Sequence, residues 1–246
     1  MLNPHPRPRS AHERVAEHIR EHILLGHWVP GQAIPKEHDL AAELGYSRLT
    51  VRAGIAMLVA EDLLEANPAL GTFVKSWQRY GSMRVLEWLL LMFIGVDADG
   101  MTKFTGQLLW LRRTFYSSVC ELLLRKKGLK ALHFEVQSIQ QLFRKDGGIP
   151  TEVLQEEERL LAKIAEASGN LFVTMQAHSL RRLMEVLNRS AEARLEITDE
   201  TSAFGALLDT LEAGDLPAAE AAMKKVCLLR EAHYLALAKG RSKRRG

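Results

Sequence analysis

Cysteine is scarce in this 246-residue chain: Cys120 and Cys227 are the only two, far apart, and both fall in segments with helical patterning. Disulfides are rare in reducing compartments, so two reduced thiols are expected and a disulfide-stapled scaffold is excluded. Long apolar runs are also lacking. The longest uncharged apolar stretch, Trp88 to Val96, has nine residues, against the ~20 that a membrane-spanning helix needs. Residues 1–14 are rich in Pro and Arg and have no apolar core of a secretory signal, so none is expected.

A strong charge of one sign is missing as well. Lys and Arg number 33 and Asp and Glu 30, for a net +3, so bulk charge announces no polyanionic partner. Placement says more. Residues 1–80 hold nine basic and nine acidic side chains, whereas the last eight residues carry Lys239, Arg241, Lys243, Arg244 and Arg245. Six of the nine histidines lie in the first 40 residues, so this end gains positive charge below about pH 6.5. No P-loop, dinucleotide fingerprint, nucleophile elbow or His/Glu metal motif is present. Glu156, Glu157 and Glu158 read as the solvated start of a helix rather than as paired catalytic carboxylates. An enzyme is therefore not expected. With 47% hydrophobic and 26% charged residues, what remains is an ordinary globular composition.

Two kinds of patterning divide the chain. Ser10 to Leu25 has Val15, Ile19 and Ile23 on one helical face. Ser10 with Glu13 three residues later forms a capping-box pattern, and Gly26 is a stop. Pro35 to Leu44 reads as a short helix ended by Gly45. Ser47 caps a third helix to about Glu61, with Val51, Ile55, Leu58 and Val59 at helical spacing. Leu63 to Ala66 and Thr72 to Lys75 read as a hairpin about the turn residues Asn67 to Gly71. From Met83 onward only helical patterns occur, at roughly 83–93, 102–126, 129–145, 151–167, 170–195, 198–213 and 216–238. The predicted fold is mainly α. It has a flexible end at 1–9, a winged helix-turn-helix over 10–75, a linker at 76–82, an all-helical bundle over 83–238 and a disordered basic tail at 239–246.

The turn Leu44-Gly45-Tyr46-Ser47 joins two helices as a helix-turn-helix does. In that motif the first residues of the second helix enter the major groove. Arg48 and Arg52 project from one face of it and can reach guanine or phosphate. A solvated helix face is the plain alternative for two arginines so spaced. The ordered string Trp28-Val29-Pro30-Gly31, Ile34-Pro35-Lys36-Glu37, Asp39-Leu40-Ala41, Leu44-Gly45, Ser47-Arg48, Thr50-Val51-Arg52 and Gly71-Thr72-Phe73-Val74 goes further. It resembles the winged helix-turn-helix of GntR-family bacterial transcription regulators over residues 10–75. The helical half looks like the ligand domain, called FCD, of the FadR subfamily. The resemblance implies a cytoplasmic homodimeric repressor or activator on a double-stranded DNA operator. It implies DNA contacts from Arg48, Arg52, Thr50, Ser47, Leu49, Lys36, His38 and Gly71. His38 stands where the family usually has Arg, and the wing tip Ala69-Leu70-Gly71 lacks the family's basic residue. Gly54 interrupts a helix at a cost of ~1 kcal/mol relative to Ala, which calls for close packing.

The subsidiary resemblance also implies a metal site in the helical domain. Its positions fall on Glu157, Leu161, Phe204 and Val226. Leucine, phenylalanine and valine cannot ligate a metal, so no metal or other cofactor is expected. His18 and His22 share a helix face but lack a third ligand and read as solvent-facing, and His178 reads as a polar group near the bundle interior. An effector site is expected between helices, lined by Arg112, Leu161, Phe204 and Val226. Acyl-CoA is the candidate ligand that the resemblance implies. Two alternatives stay open: Arg112 and Arg113 as surface or interface residues, and an architectural DNA-binding protein without an effector.

Overall fold

The computed structural model describes residues 10–93, 98–124, 129–146, 150–190 and 202–240. The expected flexible end at 1–9, the helix ends at 125–126, 191–195 and 198–201, and the tail beyond Gly240 lie outside the described residues. The chain divides into two compact units, Met1–Met92 and Phe93–Gly246. This boundary falls C-terminal to the 76–82 linker read from the sequence.

The first unit is a winged helix-turn-helix. Helix α1 (Ala11–Leu24) starts at a complete capping box, with Ser10 accepting from the Glu13 N–H and the Glu13 carboxylate accepting from the Ser10 N–H. Helix α2 (Glu37–Leu44) ends at Gly45, whose φ of 69° is a left-handed cap that glycine adopts without strain. Helix α3 (Arg48–Ala60) is capped by the Ser47 hydroxyl on the Thr50 N–H at 3.1 Å. Strands β1 (Leu64–Asn67) and β2 (Gly71–Val74) pair antiparallel, Leu64 opposite Val74. The Asn67 side chain accepts from the Ala69 and Leu70 N–H groups, and Gly71 completes the turn at a φ of 113°. A feature not read from the sequence ties the wing down: residues 31–34 run beside β2, with Gly31 N–H bonded to the Val74 carbonyl and Ile34 N–H to that of Thr72.

Val15, Ile19, Ile23, Leu40, Val51, Ile55, Leu58, Leu63, Leu64 and Val74 fill the core of this unit. Gly54 faces α1. A Cβ there would lie 2.8 Å from Val15 Cγ1 and 3.0 Å from the His12 carbonyl oxygen. The two helices touch backbone to side chain at this point, which is the close packing that a mid-helix glycine called for. Gly54→Ala should therefore destabilise the unit by ~1–3 kcal/mol, because overpacking outweighs the propensity gain. A urea midpoint at or above that of the wild type would contradict this. Arg20 is buried in a bidentate pair with Glu61, 2.7 Å at the shortest, and its guanidinium lies 4.2 Å from the Trp88 ring centroid. Residues 76–82 are not only linker: they contain a turn of helix, α4 (Trp77–Tyr80), followed by α5 (Met83–Phe93).

The described residues of the second unit are all helix and connection: α6 (Ala98–Leu123), α7 (Lys130–Asp146), α8 (Pro150–Ala167), α9 (Leu171–Ser190), α10 (Ser202–Ala213), α11 (Leu216–Leu228) and α12 (Glu231–Gly240). Helix α6 packs on α11 and α12, α8 on α9 and α7, and α10 on α11. The segment 216–238, expected as one helix, is two. The break falls at Leu229-Arg230, where Arg230 turns inward to a buried carboxylate described below. Cys120 and Cys227 are both free and buried, and burial pushes the Cys120 thiol up to about 12, so both are unreactive packing residues. Among the described residues no helix is long and apolar enough to cross a membrane.

Candidate nucleic-acid interface

Helix α3 buries Val51, Ile55 and Leu58 and turns its opposite face to solvent. Arg48, Leu49 and Arg52 are exposed on that side, Leu49 at 77%. Leu49 is of a size to meet a thymine methyl. Ser47 and Thr50 share a 2.8 Å hydroxyl–hydroxyl hydrogen bond beside the free N–H groups of the first turn, a place that favours phosphate. Lys36 is exposed at the N-cap of α2, and Gly71 is exposed in the wing. His38 is exposed too, but its Nε2 sits 2.9 Å from the Asp39 carboxylate. The eight residues expected to meet DNA thus lie on the surface of the first unit, except that Thr50 is half-buried.

The two arginines differ. Among the described residues Arg48 has no hydrogen-bond or ion-pair partner. Arg52 is clamped: its Nε donates to both Glu37 oxygens at 3.0 and 3.1 Å and its Nη2 to Oε2 at 2.8 Å. The Arg52 hydrogen bond holds the Glu37 carboxyl below its ordinary pKa, and the charge of Arg48 adds to the effect. Glu37 stood in the sequence string but was not read as a site residue. Its signal was an acidic residue opening the helix before the arginine-bearing one.

The histidines of α1 are less solvated than expected. The His18 and His22 rings lie 4.3 Å apart, and His22 packs on Trp28 at 4.8 Å. Burial, with His22 beside it, holds His18 below its ordinary pKa. The rise in N-terminal charge expected on acidification is opposed at that position. Among the described residues no group of three or more His, Cys, Asp or Glu side chains could hold a metal ion.

Inside the helical unit the structure corrects three readings. Glu157 and Glu158 are buried, not solvated; only Glu156 is partly exposed. Arg112 is buried, not at a surface. Its Nη2 donates to Glu158 Oε1 at 2.7 Å and its Nη1 to the Cys227 carbonyl at 3.1 Å. His178 is at the surface, paired with Glu166 at 2.8 Å, not near the interior. Arg230 pairs with Glu157 at 2.8 Å, and Tyr234 donates to Asn188 at 2.7 Å. Burial is the largest single influence and opposes the charge of Arg112, yet Glu158 together with Cys227, Tyr234 and Tyr116 outweighs it and raises the guanidinium pKa. Burial pushes the phenols of Tyr116 and Tyr234 up, and both lie within electrostatic reach of Glu158 and Arg112. Four atoms of this cluster have no hydrogen-bond partner among the described residues: Arg112 Nε, Tyr116 Oη, Glu158 Oε2 and Asn188 Nδ2. Leu161, Phe204 and Val226 are buried in α8, α10 and α11 of the same unit. Arg113 pairs with Glu231 at 2.9 Å and is half-buried.

Residues 11–74 match the family described as bacterial regulatory proteins, gntR family. The N-terminal unit carries a GntR-type domain. The chain is 42% identical over 67 residues to the mannosyl-D-glycerate transport/metabolism system repressor of Escherichia coli K12, a match spanning 27% of this chain and 28% of that protein. It is 26% identical over 229 residues to the putative L-lactate dehydrogenase operon regulatory protein of the same organism, spanning 88% and 83%. The fold is similar to a solved structure of Lar, which controls the expression of the Listeria monocytogenes agr system, with a TM-score of 0.55, 18% identity and coverage of 95% and 98%.

Proposed function

We propose that this protein is a transcription regulator of the FadR type within the GntR family, binding a near-palindromic operator as a homodimer through α3. The observation that carries this reading is the exposed start of α3, where Arg48, Leu49 and Arg52 stand outward beside a Ser47-capped N-terminus. Paired helix-turn-helix units read two half-sites, which makes two-fold symmetry the natural assembly. The exposed apolar side chains Leu171, Phe172 and Met175 at the start of α9 support burial against a second copy. Such a regulator works on the chromosome in the bacterial cytoplasm. The named relatives are regulators, which supports a role without catalysis.

The helical unit binds a small effector in this reading. Its support is the buried cluster of Arg112, Tyr116, Glu158 and Asn188, since unpartnered buried polar atoms call for an occupant or a bridging group. The cluster favours a small polar molecule over the acyl chain of acyl-CoA, with Leu161, Phe204 and Val226 supplying apolar surface in the same core. The relative named for the L-lactate dehydrogenase operon makes small hydroxy acids the first compounds to try. A regulator without an effector is the second reading, favoured by the fact that Arg112 and Arg230 already have carboxylate partners.

Selection from random-sequence duplexes with the purified protein tests the proposal. The expected result is an enriched inverted repeat that binds two chains per duplex; no enrichment over the starting pool at any salt concentration overturns it. A hydroxy acid that changes operator affinity about 5–150-fold supports the effector reading. No change across a metabolite panel supports the second.

A further inference from the structure

Glu37 opens α2 and Arg52 lies on α3, so their bidentate pair ties the two helices of the helix-turn-helix together on the solvent side. The pair uses the inner edge of the guanidinium, Nε–H and one hydrogen of Nη2. Arginine has five N–H donors in a fixed plane. The outer edge, Nη1 and the second hydrogen of Nη2, stays available, and the Arg52 side chain is 64% exposed against 29% for Glu37. Two parallel N–H groups are what guanine O6 and N7 accept. Arg52 can therefore hold Glu37 and read a base at once. Arg48, with no partner among the described residues, has no such constraint.

We propose that Glu37 is a specificity-determining positioning residue, which holds the outer edge of the Arg52 guanidinium toward a guanine and at the same time repels misplaced phosphates. The inference rests on the DNA-binding reading of α3. The two effects of the carboxylate act in opposite directions on the two kinds of binding. Orientation strengthens the cognate complex, because an ordered fork loses less freedom on binding. The negative charge weakens sequence-independent binding, which depends on neutralised phosphates. A carboxylate that merely competed with DNA for Arg52 would weaken both.

Glu37→Gln separates these cases. The variant keeps the shape and one acceptor oxygen but loses the charge, and circular dichroism establishes that it folds. Affinity is measured at fixed salt for the selected duplex, for a scrambled duplex and for duplexes substituted at each base. Expected is tighter binding to the scrambled duplex and a roughly tenfold or greater loss of discrimination at one guanine per half-site, the other positions keeping theirs. Arg52→Lys keeps the charge but not the fork and should flatten the same position. The double variant should lose little more there, as coupled residues do. Equal tightening on both duplexes, or unchanged discrimination at every base, overturns the proposal. A wild-type protein that selects no sequence overturns the DNA-binding reading itself, and is told apart because it shows before any variant is made.

Discussion

Arg48→Ala and Arg52→Ala should each abolish the proposed operator recognition while leaving the fold intact. Each removes a fork that can make bidentate contact with guanine, a loss of roughly 5–150-fold per half-site, compounded when two half-sites are read together. Neither change should unfold the protein. Arg48 is exposed and has no partner among the described residues, and surface substitutions of that kind have small effects on stability. Arg52 is paired, but at an exposed site where an ion pair contributes little. The two variants should nevertheless differ. Arg52→Ala leaves the Glu37 carboxylate uncompensated beside α3, so it should weaken scrambled DNA as well as the operator. Arg48→Ala should lower the dependence on salt by about one unit of slope if its contact is to phosphate. Binding isotherms at several salt concentrations, with thermal melts of the same samples, check both. Operator affinity unchanged in either variant would mean that α3 does not dock as proposed.

Glu158→Ala carries the largest expected effect on stability. Removing one partner of a buried ion pair strands the other charge, which costs ~3–5 kcal/mol, a large share of the ~5–15 kcal/mol that holds a domain together. Arg112 cannot respond by losing its proton. Glu158 is among the groups that raise its pKa, and the Cys227 carbonyl is its other hydrogen-bond partner among the described residues. The double variant Arg112→Met/Glu158→Leu should recover most of the loss, because an apolar pair of similar volume avoids desolvation altogether. Urea denaturation followed by circular dichroism measures both. A single variant within 1 kcal/mol of the wild type, a margin set well below the cost of a stranded charge, would mean that the pair is not buried in solution. If the double variant is stable but no longer responds to an effector that acts on the wild type, the cluster has a binding role as well as a structural one.

Two of the corrected readings, the glutamates of α8 and Arg112, meet at one buried contact. Glu157 and Glu158 sit in a charge run, and charge runs usually face water. Yet they also lie four residues beyond Val153 and Leu154, and Leu161 follows at the same spacing, so they occupy the buried stripe of α8. The stripe was visible in the sequence; that two arginines would meet it was not. Arg112 and Arg230 are 46 and 73 residues away from their partners along the chain, and no local rule predicts such a pairing. The same holds for Arg52 and Glu37, whose meeting depends on the crossing of α2 over α3.

The sequence by itself determined the local devices of this protein. The Ser10–Glu13 box, the Ser47 cap, the left-handed glycine after α2 and the glycine of the wing turn act over three or four residues, so their outcome is written in the residues beside them. It also determined which residues of α3 stand outward, because apolar spacing fixes the other face. The tertiary structure decided which of two exposed arginines is clamped and which has no hydrogen-bond partner among the described residues. It decided why Gly54 must be glycine, and whether acidic residues on a helix are surface or core. Those are contacts between distant segments, and their free energy depends on burial and partner geometry that exist only once the helices have packed.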